Sequence, residues 1–245
     1  MKDKEIEILR YDNRAKLVMK SGKYFKKKPD YLNIPYKYYF NLFKKLSHKK
    51  NLLEIGSGIG ENTHRLIQMK FNVCATDKSR QSVAVLKKRF SKFKNFSAKI
   101  ADMEKLPFRD DCFDIICSAG SLSYGNNHAV MKEIYRVLKP NGNVIIIDSL
   151  NNNPIYIFNR YLHYLKGNRS KSTLRRMPDV KLINKYINKF GYGYVRFFGS
   201  FIWFIPLLNF FFNDNLVCKF SKWIDKFFEI RKLAFNFVLI LEKKK

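Results

Sequence analysis

The sequence predicts an α/β fold, a doubly wound and largely parallel sheet with helices on both faces. From residue 51 onward, short apolar runs alternate with segments whose apolar residues recur at helical spacing. The apolar runs are continuous and show no polar alternation, which is typical of strands buried on both faces. Because right-handed crossovers join parallel strands, the helices between them cover both sides of the sheet.

Residues 51–150 supply five strands and three helices in alternation. The strands are predicted at 51–55, 72–76, 95–100, 113–118 and 143–148. The helices are predicted at 61–70, 79–90 and 128–139. Ser79 is a suitable N-cap for the second helix, and the Pro-Asn-Gly turn at 140–142 ends the third.

Both flanks depart from this rhythm. Residues 29–46 carry apolar positions at helical spacing. After residue 150, helices are predicted at 154–167 and 179–191, and strands at 194–200 and 234–242. We expect one domain over residues 1–245, with a helical flank at 1–50, a ligand-binding core at 51–150 and a substrate-side region at 151–245.

The segment between the last two strands is rich in large apolar residues. Residues 197–213 carry no charge, but their 17 positions include Pro206 and are marginal for a membrane span. The residues that follow repeat apolar positions at helical spacing, with lysines between them. That pattern fits a core helix or a helix in a membrane interface. A platform for nucleic acid is a third interpretation, which the excess of Phe and Leu over Tyr disfavours.

Composition limits the class of protein. A hydrophobic content of 46% and an aromatic content of 16% favour a folded chain over a disordered one. The first ten residues, "MKDKEIEILR", carry acids and no apolar stretch, so we expect neither a signal nor a transit peptide and a cytoplasmic location. The four cysteines show no CxxC spacing, which predicts reduced thiols and no metal site.

The net charge of +28 lies mainly in the flanks. The excess of positive charge is +10 in residues 1–50, +5 in residues 51–150 and +13 in residues 151–245. A basic surface attracts nucleic acid, anionic lipid and phosphorylated substrates alike. The joint abundance of Lys, Asn, Ile, Phe and Tyr is also what an AT-rich gene produces, so charge alone does not select a partner.

Three glycines separate the first strand from its helix. Gly56, Gly58 and Gly60 allow a ligand to approach the backbone at the helix N-terminus. Their spacing is G-x-G-x-G, whereas the dinucleotide fingerprint is G-x-G-x-x-G. Glu54, just before the loop, would repel a pyrophosphate and suits a ligand with an ammonium group and a sulfonium.

Two further acids end neighbouring strands. Asp77 ends the second strand, where a carboxylate can accept hydrogen bonds from both hydroxyls of a ribose. Asp102 follows the third strand, where a carboxylate can accept a hydrogen bond from an adenine amino group. The two acids and the loop together favour an adenosyl ligand over a dinucleotide.

In these motifs residues 50–150 resemble class I S-adenosylmethionine-dependent methyltransferases, especially the ubiquinone/menaquinone-type and small-molecule subgroup. The resemblance implies S-adenosylmethionine as cofactor and a Rossmann-like, seven-stranded sheet with a C-terminal antiparallel strand. It also fits extra N-terminal helices and an inserted helical aromatic segment near residues 200–233. The implied cofactor residues are Glu54, Gly56, Gly58 and Gly60 for the methionine part, Asp77 for the ribose, Asp102 and Met103 for the adenine, with Lys78 and Ser118 beside them.

Groups that can reach the transferred methyl lie in the loops after the fourth and fifth strands. A hydroxyl acceptor must also lose its proton. The subgroup often has a histidine in the first loop, but here that place reads Ser123-Tyr124, and His128 is predicted to begin the next helix. We therefore predict Asp148 as the base and Tyr124 as a residue that orients the acceptor.

Residues 153–156, Asn-Pro-Ile-Tyr, resemble the Asn-Pro-Pro-Tyr box of amino-directed nucleic-acid methylases. Here the motif follows strand five instead of strand four and lacks the second proline. We therefore interpret it as a helix start, with Asn153 as N-cap and a proline in the first turn. The alternative is a polar strip that lines the acceptor pocket, formed by Asn153, Arg160, His163 and Arg169.

Residues 148–178 also resemble methyltransferases of bacterial surface-polysaccharide and O-antigen pathways. That resemblance implies a sugar acceptor, either free or lipid-linked. Together with the C-terminal aromatic segment, it leads us to expect methylation of a hydroxyl on a sugar or a lipid-linked glycan precursor, with peripheral contact at the inner membrane face. The alternatives are an RNA methyltransferase, a quinone or small-molecule methyltransferase, and a non-catalytic membrane-associated adaptor. We expect no metal ion and no nucleic-acid partner.

Overall fold

A seven-stranded sheet forms the centre of the computed structural model, which describes residues 3–22, 30–167, 169–200, 211–227, 231 and 233–244. The strands are β1 (Asn51–Ile55), β2 (Asn72–Asp77), β3 (Phe96–Ile100), β4 (Phe113–Ala119), β5 (Leu138–Ser149), β6 (Gly191–Phe198) and β7 (Asn236–Lys243). The helices that precede β5 are α1 (Asp3–Ser21), α2 (Ile34–Lys44), α3 (Thr63–Gln68), α4 (Arg80–Arg89) and α5 (Asn127–Val137). Those that follow it are α6 (Pro154–Leu165), α7 (Lys171–Arg175), α8 (Val180–Phe190) and α9 (Asp214–Phe227).

The strand order is β3-β2-β1-β4-β5-β7-β6. Strands β1 to β5 pair in parallel, whereas β7 runs antiparallel to both β5 and β6. The predicted fold class is therefore confirmed, including the C-terminal antiparallel strand. The chain reverses its direction of winding between β1 and β4, and ligands of open α/β sheets bind in the crevice at such a point.

The central strands are largely apolar because both faces of the sheet are covered. In β1, Leu53 and Ile55 pack into the core on one face, while Leu52 packs into the core on the other. All three side chains are buried. Successive side chains of a strand point to opposite faces, so a strand with two covered faces is apolar at most positions on both faces.

Side-chain caps begin several helices. The Ser79 hydroxyl accepts a hydrogen bond from the Ser82 N–H at the start of α4, as predicted. The Asn153 side chain likewise accepts one from the Tyr156 N–H at 3.0 Å, which confirms the prediction that the Asn-Pro-Ile-Tyr motif begins a helix. Each cap satisfies an N–H group that has no partner within its own helix.

Two elements of the core differ from their predicted bounds. Strand β5 begins at Leu138 because that residue pairs with Phe113, after which the register jumps to the pair Ile115 and Asn143. The residues between these pairs bulge, and Asn141 adopts a positive φ of 59°. Helix α3 spans only Thr63–Gln68, since the glycine loop continues as turns up to that point.

The inserted aromatic segment is described only in part. Residues 201–210, 228–230 and 232 lie outside the described residues, and α9 lies between the first two of these ranges. Among the described residues, no helix combines the length and the apolar character that a membrane crossing requires. Helix α9 buries Val217 and Ile224 but leaves Phe220 and Trp223 about half exposed.

Candidate active site

The glycine loop brings the ends of β1 and β4 close together. Gly56 has a φ of +63°, and a Cβ atom at this position would lie 2.4 Å from the Cβ of Ser121. Gly58 has a φ of +55°, with open space where a Cβ would stand. Gly60 instead packs against Phe90, so its role is to let the loop lie against α4.

A cavity of about 740 Å³, counted to its open mouth, lies beside this loop at the carboxyl edge of the sheet. We call it the large cavity, and its size is typical of small-molecule sites. Its lining residues from the core include Gly56, Thr76, Asp77, Lys78, Asp102, Met103, Ser121 and Tyr124. Ends of β1 and β2 and the loops after β3 and β4 thus converge on one space.

Asp77 is held rigidly in the wall of the large cavity. Its two carboxylate oxygens accept hydrogen bonds from the N–H groups of Gly58 and Ser79, each at 2.8 Å. Burial raises the pKa of Asp77, and these two N–H groups oppose that rise. Each oxygen has a second lone pair, so the carboxylate can still accept hydrogen bonds from a ligand.

Lys78 and Asp102 form an ion pair in another wall of the large cavity. The Lys78 Nζ and the Asp102 Oδ2 are 2.5 Å apart, and both side chains are about one third exposed. The other carboxylate oxygen of Asp102 accepts a hydrogen bond from the Glu104 N–H at 3.1 Å. The ion pair joins the end of β2 to the loop after β3, the two segments between which a ligand would lie.

Helix α1 covers the large cavity. Asp3, Glu7, Ile8 and Tyr11 from one side of this helix line the space. At one end of the cover, the Glu7 carboxylate accepts a hydrogen bond from the Ser170 N–H at 3.0 Å. Further along the helix, Asp12 is 2.5 Å from the Ser79 hydroxyl.

A second, smaller cavity adjoins the first. Its lining residues are Gly120, Ser123, Tyr124, Asp148, Ser149, Tyr156, Arg160, Arg169, Met177 and Pro178. Tyr124 lines both cavities and so forms part of the wall between them. A ligand in the small cavity therefore lies next to a ligand in the large one.

Asp148 is a buried carboxylate in the wall of the small cavity. Only 5% of the residue is exposed. Its Oδ2 accepts a hydrogen bond from the Leu122 N–H at 2.9 Å, and its Oδ1 accepts one from the Ser149 N–H at 2.7 Å. Burial raises the pKa of Asp148 to about 6 against the effect of these hydrogen bonds. The group can therefore exchange a proton near neutral pH.

Tyr124 lies between two arginines. Arg10 donates a hydrogen bond to its hydroxyl at 2.9 Å, and Arg169 donates a second, short one. Burial alone would raise the pKa of the Tyr124 hydroxyl, but Arg169 and Arg10 outweigh burial and lower that pKa below its ordinary value. Tyr11 of α1 packs edge-on against the Tyr124 ring, at 5.5 Å between centroids.

Residues 53–146 match a protein family described as a methyltransferase domain. The chain carries a class I S-adenosylmethionine-dependent methyltransferase domain. The match begins in β1 and ends in β5, and it includes the glycine loop, Asp77 and Asp102.

Several curated methyltransferases are similar in sequence. An uncharacterized methyltransferase of Schizosaccharomyces pombe is 31% identical over 111 residues, 45% of this chain and 43% of that protein. The ubiquinone/menaquinone biosynthesis C-methyltransferase of Neisseria meningitidis is 32% identical over 38% of this chain and 35% of its own length. A malonyl-[acyl-carrier protein] O-methyltransferase of Buchnera aphidicola is 25% identical over 80% and 72% of the two chains. The chain thus spans less than half the length of the first two relatives.

Solved methyltransferases share the fold. Phosphoethanolamine N-methyltransferase 2 of Haemonchus contortus, solved in complex with S-adenosyl-L-methionine, superposes with a TM-score of 0.57 at 19% sequence identity. The superposition covers 91% of this chain and 61% of the other. At this identity the likeness establishes the architecture of the methyltransferase domain and leaves the acceptor open.

The structure describes all the predicted cofactor residues, and four of them do not line the large cavity: Glu54, Gly58, Gly60 and Ser118. The Glu54 carboxylate lies behind the loop, where it accepts a hydrogen bond from the Thr63 hydroxyl at 2.5 Å. Burial raises the pKa of Glu54 to about 7. Ser118 is fully buried and bonds through its hydroxyl to Ser121, which does line the cavity.

The predicted polar strip of α6 is only partly formed. Arg160 and Arg169 line the small cavity, whereas Asn153 and His163 do not. Besides capping α6, the Asn153 side chain donates a hydrogen bond to the Leu233 carbonyl at 2.9 Å. His163 is exposed, since three residues turn a helix by about 300° and leave its side chain off the inward face of Arg160.

Helix α1 is the part of the site that the sequence interpretation missed. Residues 1–50 were assigned only a helical character, yet α1 supplies four lining residues and Arg10 beside Tyr124. A signal was present, because Asp3, Glu7 and Tyr11 are spaced by four within a strongly basic segment and so share one helix face.

The described residues contain no cluster of His, Cys, Asp and Glu that could hold a metal ion.

Proposed function

We propose that this protein transfers a methyl group from S-adenosylmethionine to a hydroxyl group of a small, polar acceptor. The observation that carries the proposal is the pair of adjoining cavities. One contains the acids and the glycine loop of the methyltransferase domain, and the other contains the buried carboxylate of Asp148. The two cavities share a wall at Tyr124, which supports direct transfer from a ligand in one to a ligand in the other.

The large cavity fits the cofactor. Gly56 leaves room for a close approach to the backbone, and Asp77 and Asp102 offer carboxylates for the ribose hydroxyls and the adenine amino group. When bound, S-adenosylmethionine supplies a sulfonium methyl group, which passes to the acceptor oxygen while the sulfur keeps the bonding electron pair. The solved relative in complex with the same molecule supports this assignment.

The protein's own groups would act on the acceptor. Asp148 accepts the proton of the acceptor hydroxyl as the new carbon–oxygen bond forms. Its pKa of about 6 keeps it mostly ionised at neutral pH and yet more basic than an ordinary aspartate. Tyr124, held by Arg10 and Arg169, orients the acceptor, and α1 excludes water from the cofactor.

The small cavity favours a polar acceptor such as a sugar over a quinone. Seven of its ten lining residues carry a hydroxyl or a charged group that can bond to a sugar hydroxyl, namely Ser123, Tyr124, Asp148, Ser149, Tyr156, Arg160 and Arg169. The resemblance of residues 148–178 to surface-polysaccharide methyltransferases points to the same acceptor class. The similarity to a ubiquinone/menaquinone enzyme keeps a quinone as the second candidate.

We also infer peripheral contact with a membrane. Helix α6 exposes the large side chains of Ile155, Phe158, Tyr161 and Leu165, and α9 exposes Trp223. Apolar faces of this kind, on a chain of net charge +28, suit the surface of an anionic bilayer. A lipid-linked glycan would be presented at that surface.

Calorimetry with S-adenosylhomocysteine tests the cofactor site. Asp77→Ala should weaken binding by about tenfold or more, because the charged carboxylate that meets the ribose is lost. Asp110→Ala removes an exposed carboxylate outside both cavities and should leave the affinity unchanged. Equal affinity of Asp77→Ala and the wild type would contradict the assignment.

Labelled S-adenosylmethionine then identifies the acceptor. The purified protein is added to a fractionated extract, and we expect label in the polysaccharide or lipid-linked glycan fraction. Label in quinones would select the second candidate, and label in RNA would select a nucleic-acid enzyme. Binding to vesicles without cofactor affinity or label transfer would indicate a non-catalytic adaptor.

A further inference from the structure

Arg160 has an unusual environment. It is the one residue of α6 that is classed as buried, with 8% of its surface exposed, while Ile155 and Phe158 of the same helix are 52% and 62% exposed. Burial of a guanidinium group in place of apolar side chains opposes the hydrophobic effect. Helix α6 is therefore oriented so that Arg160, and not its apolar residues, faces the interior.

The Arg160 side chain has no anionic partner within the described part of the chain. Its Nε atom is buried without a hydrogen bond, and the side chain makes no salt bridge to any described residue. The ring of Tyr156 lies 5.7 Å from the guanidinium carbon. A buried charge without a hydrogen-bonded partner is costly, which indicates that a ligand supplies the partner.

Asp148 does not fill this role. It lines the same cavity, and its charge is near enough for Arg160 to act on its titration. However, no hydrogen bond or salt bridge joins the Asp148 carboxylate to Arg160, and its two oxygens accept from the backbone N–H groups of Leu122 and Ser149 instead. The Arg160 donors, aimed into the small cavity, are left for a ligand.

A second guanidinium faces the same space. Arg169 lines the small cavity and uses one donor on the Tyr124 hydroxyl, to which Arg10 also donates from the side of α1. Arg160 and Arg169 together outweigh the single carboxylate of Asp148 in the lining. Two guanidinium groups that converge on one pocket are suited to a planar or tetrahedral oxyanion, which they can bind in a bidentate manner.

We propose that the methyl acceptor carries a carboxylate or phosphate group, which Arg160 and Arg169 bind in the small cavity. The inference rests on the proposed methyl transfer and narrows its acceptor to an anionic sugar or a similarly charged small molecule. The two arginines hold the oxyanion, and Asp148 in the same lining meets the hydroxyl. The positive charges of the two arginines also offset the repulsion between the negative charge of the acceptor and that of Asp148.

Ligand-observed NMR with small probes tests the inference. The probes are glucose 6-phosphate, glucuronate and uncharged glucose, each added at constant ionic strength to protein saturated with S-adenosylhomocysteine. We expect at least one charged probe to bind about tenfold more tightly than glucose. Comparison of glucose 6-phosphate with glucuronate shows whether the site prefers a phosphate or a carboxylate.

Substitution of the two arginines tests whether they form the binding site of the charged probe. Arg160→Gln and Arg169→Gln should each weaken binding of the charged probe about tenfold more than they weaken binding of glucose. The control, Arg175→Gln, removes an equal charge from an exposed position of α7 outside the cavity. An equal loss in the control would show attraction to the general basic surface and would overturn the inference.

The same binding measurements distinguish failure of the anionic-acceptor inference from failure of the proposed methyl transfer. If the wild type binds S-adenosylhomocysteine but binds charged probes no better than glucose, the anionic acceptor is excluded and the methyl transfer stands. If it does not bind S-adenosylhomocysteine, the proposed function fails first. Circular dichroism checks folding, and if Arg160→Gln unfolds, the partly exposed Arg169 decides the outcome.

Discussion

At the scale of single residues, burial gives Asp148 a property that its proposed role as a base requires. An exposed aspartate would be too weakly basic near neutral pH, and its proton affinity must be raised to be useful. Here burial raises its pKa to about 6, while two backbone N–H groups fix both oxygens in place. Position and basicity therefore come from the same packing.

The Asp148 proposal predicts the pH dependence of the reaction. A general base acts when deprotonated, so kcat/KM of the wild type should rise with pH through about 6 and then level off. Asp148→Asn should lower kcat by about 10²-fold or more and abolish that rise. Steady-state kinetics from pH 5 to pH 8 measure both, and an unchanged profile in the variant would assign the titration to another group.

The backbone conformation and close contacts of Gly56 lead to a prediction about protein stability and ligand binding. Gly56→Ala combines a positive φ with a Cβ 2.4 Å from Ser121, so we expect a loss of about 1–3 kcal/mol in the free energy of unfolding and weaker binding of S-adenosylhomocysteine. Gly22→Ala has the same strain, at a φ of +66°, with no atom within 4 Å. Urea denaturation of both variants separates the clash from the strain. Equal losses would show that contact with Ser121 is unimportant.

At the scale of elements, α1 turns an open crevice into a covered site. Its acidic side chains meet the N-terminal residues of α7, where unpaired N–H groups favour negative charge. Glu7 accepts from the Ser170 N–H, and Asp3 accepts from the Ser172 N–H at 2.8 Å. At its other end, Ala15 and Val18 pack against Ile59 and Val85. Contacts on both sides of the large cavity thus hold helix α1 in place.

The contact between α1 and α7 can be tested directly. Glu7→Ala should weaken binding of S-adenosylhomocysteine several-fold and speed proteolytic cleavage within α1, because the helix loses its hold on α7. Lys16→Ala, at an exposed position of the same helix, is the matched control. Calorimetry and limited proteolysis report the two effects. Unchanged affinity in Glu7→Ala would show that the cover is not needed for cofactor binding.

At the scale of the whole molecule, the positive charge and the exposed apolar faces act together. The excess charge lies in the flanks, and the flanks also carry the exposed residues of α6 and α9. The central region, residues 51–150, is closer to neutral, so electrostatic attraction to an anionic surface would act mainly on the flanks.

Vesicle sedimentation tests that arrangement. We expect the protein to bind phosphatidylserine-containing vesicles, more weakly at high salt, and to bind neutral vesicles poorly. A Phe158→Ser, Trp223→Ser double variant should lose most of this binding, since both side chains are more than half exposed. Leu17→Ser, which alters an exposed apolar residue of α1, should bind like the wild type. Retained binding by the double variant would refute membrane contact through α6 and α9.

The sequence alone determined the sheet and the position of the cofactor loop. Continuous apolar runs, a glycine turn and acids at strand ends are local patterns, and local patterns specify where strands end and helices begin. The predicted caps at Ser79 and Asn153 were likewise confirmed, because a capping bond joins residues only three apart.

Only the tertiary structure decided which side chains share a cavity. Arg160 lines the small cavity while His163 faces outward, and Glu54 turns to Thr63 instead of the large cavity. Helix α1 meets α7 more than 160 residues away in the chain. Such contacts depend on how elements pack around the finished sheet, and no pattern within a single element records that packing. The fold could therefore be predicted from the sequence, whereas the position of α1 over the large cavity and the arginines of the small cavity depend on the tertiary structure.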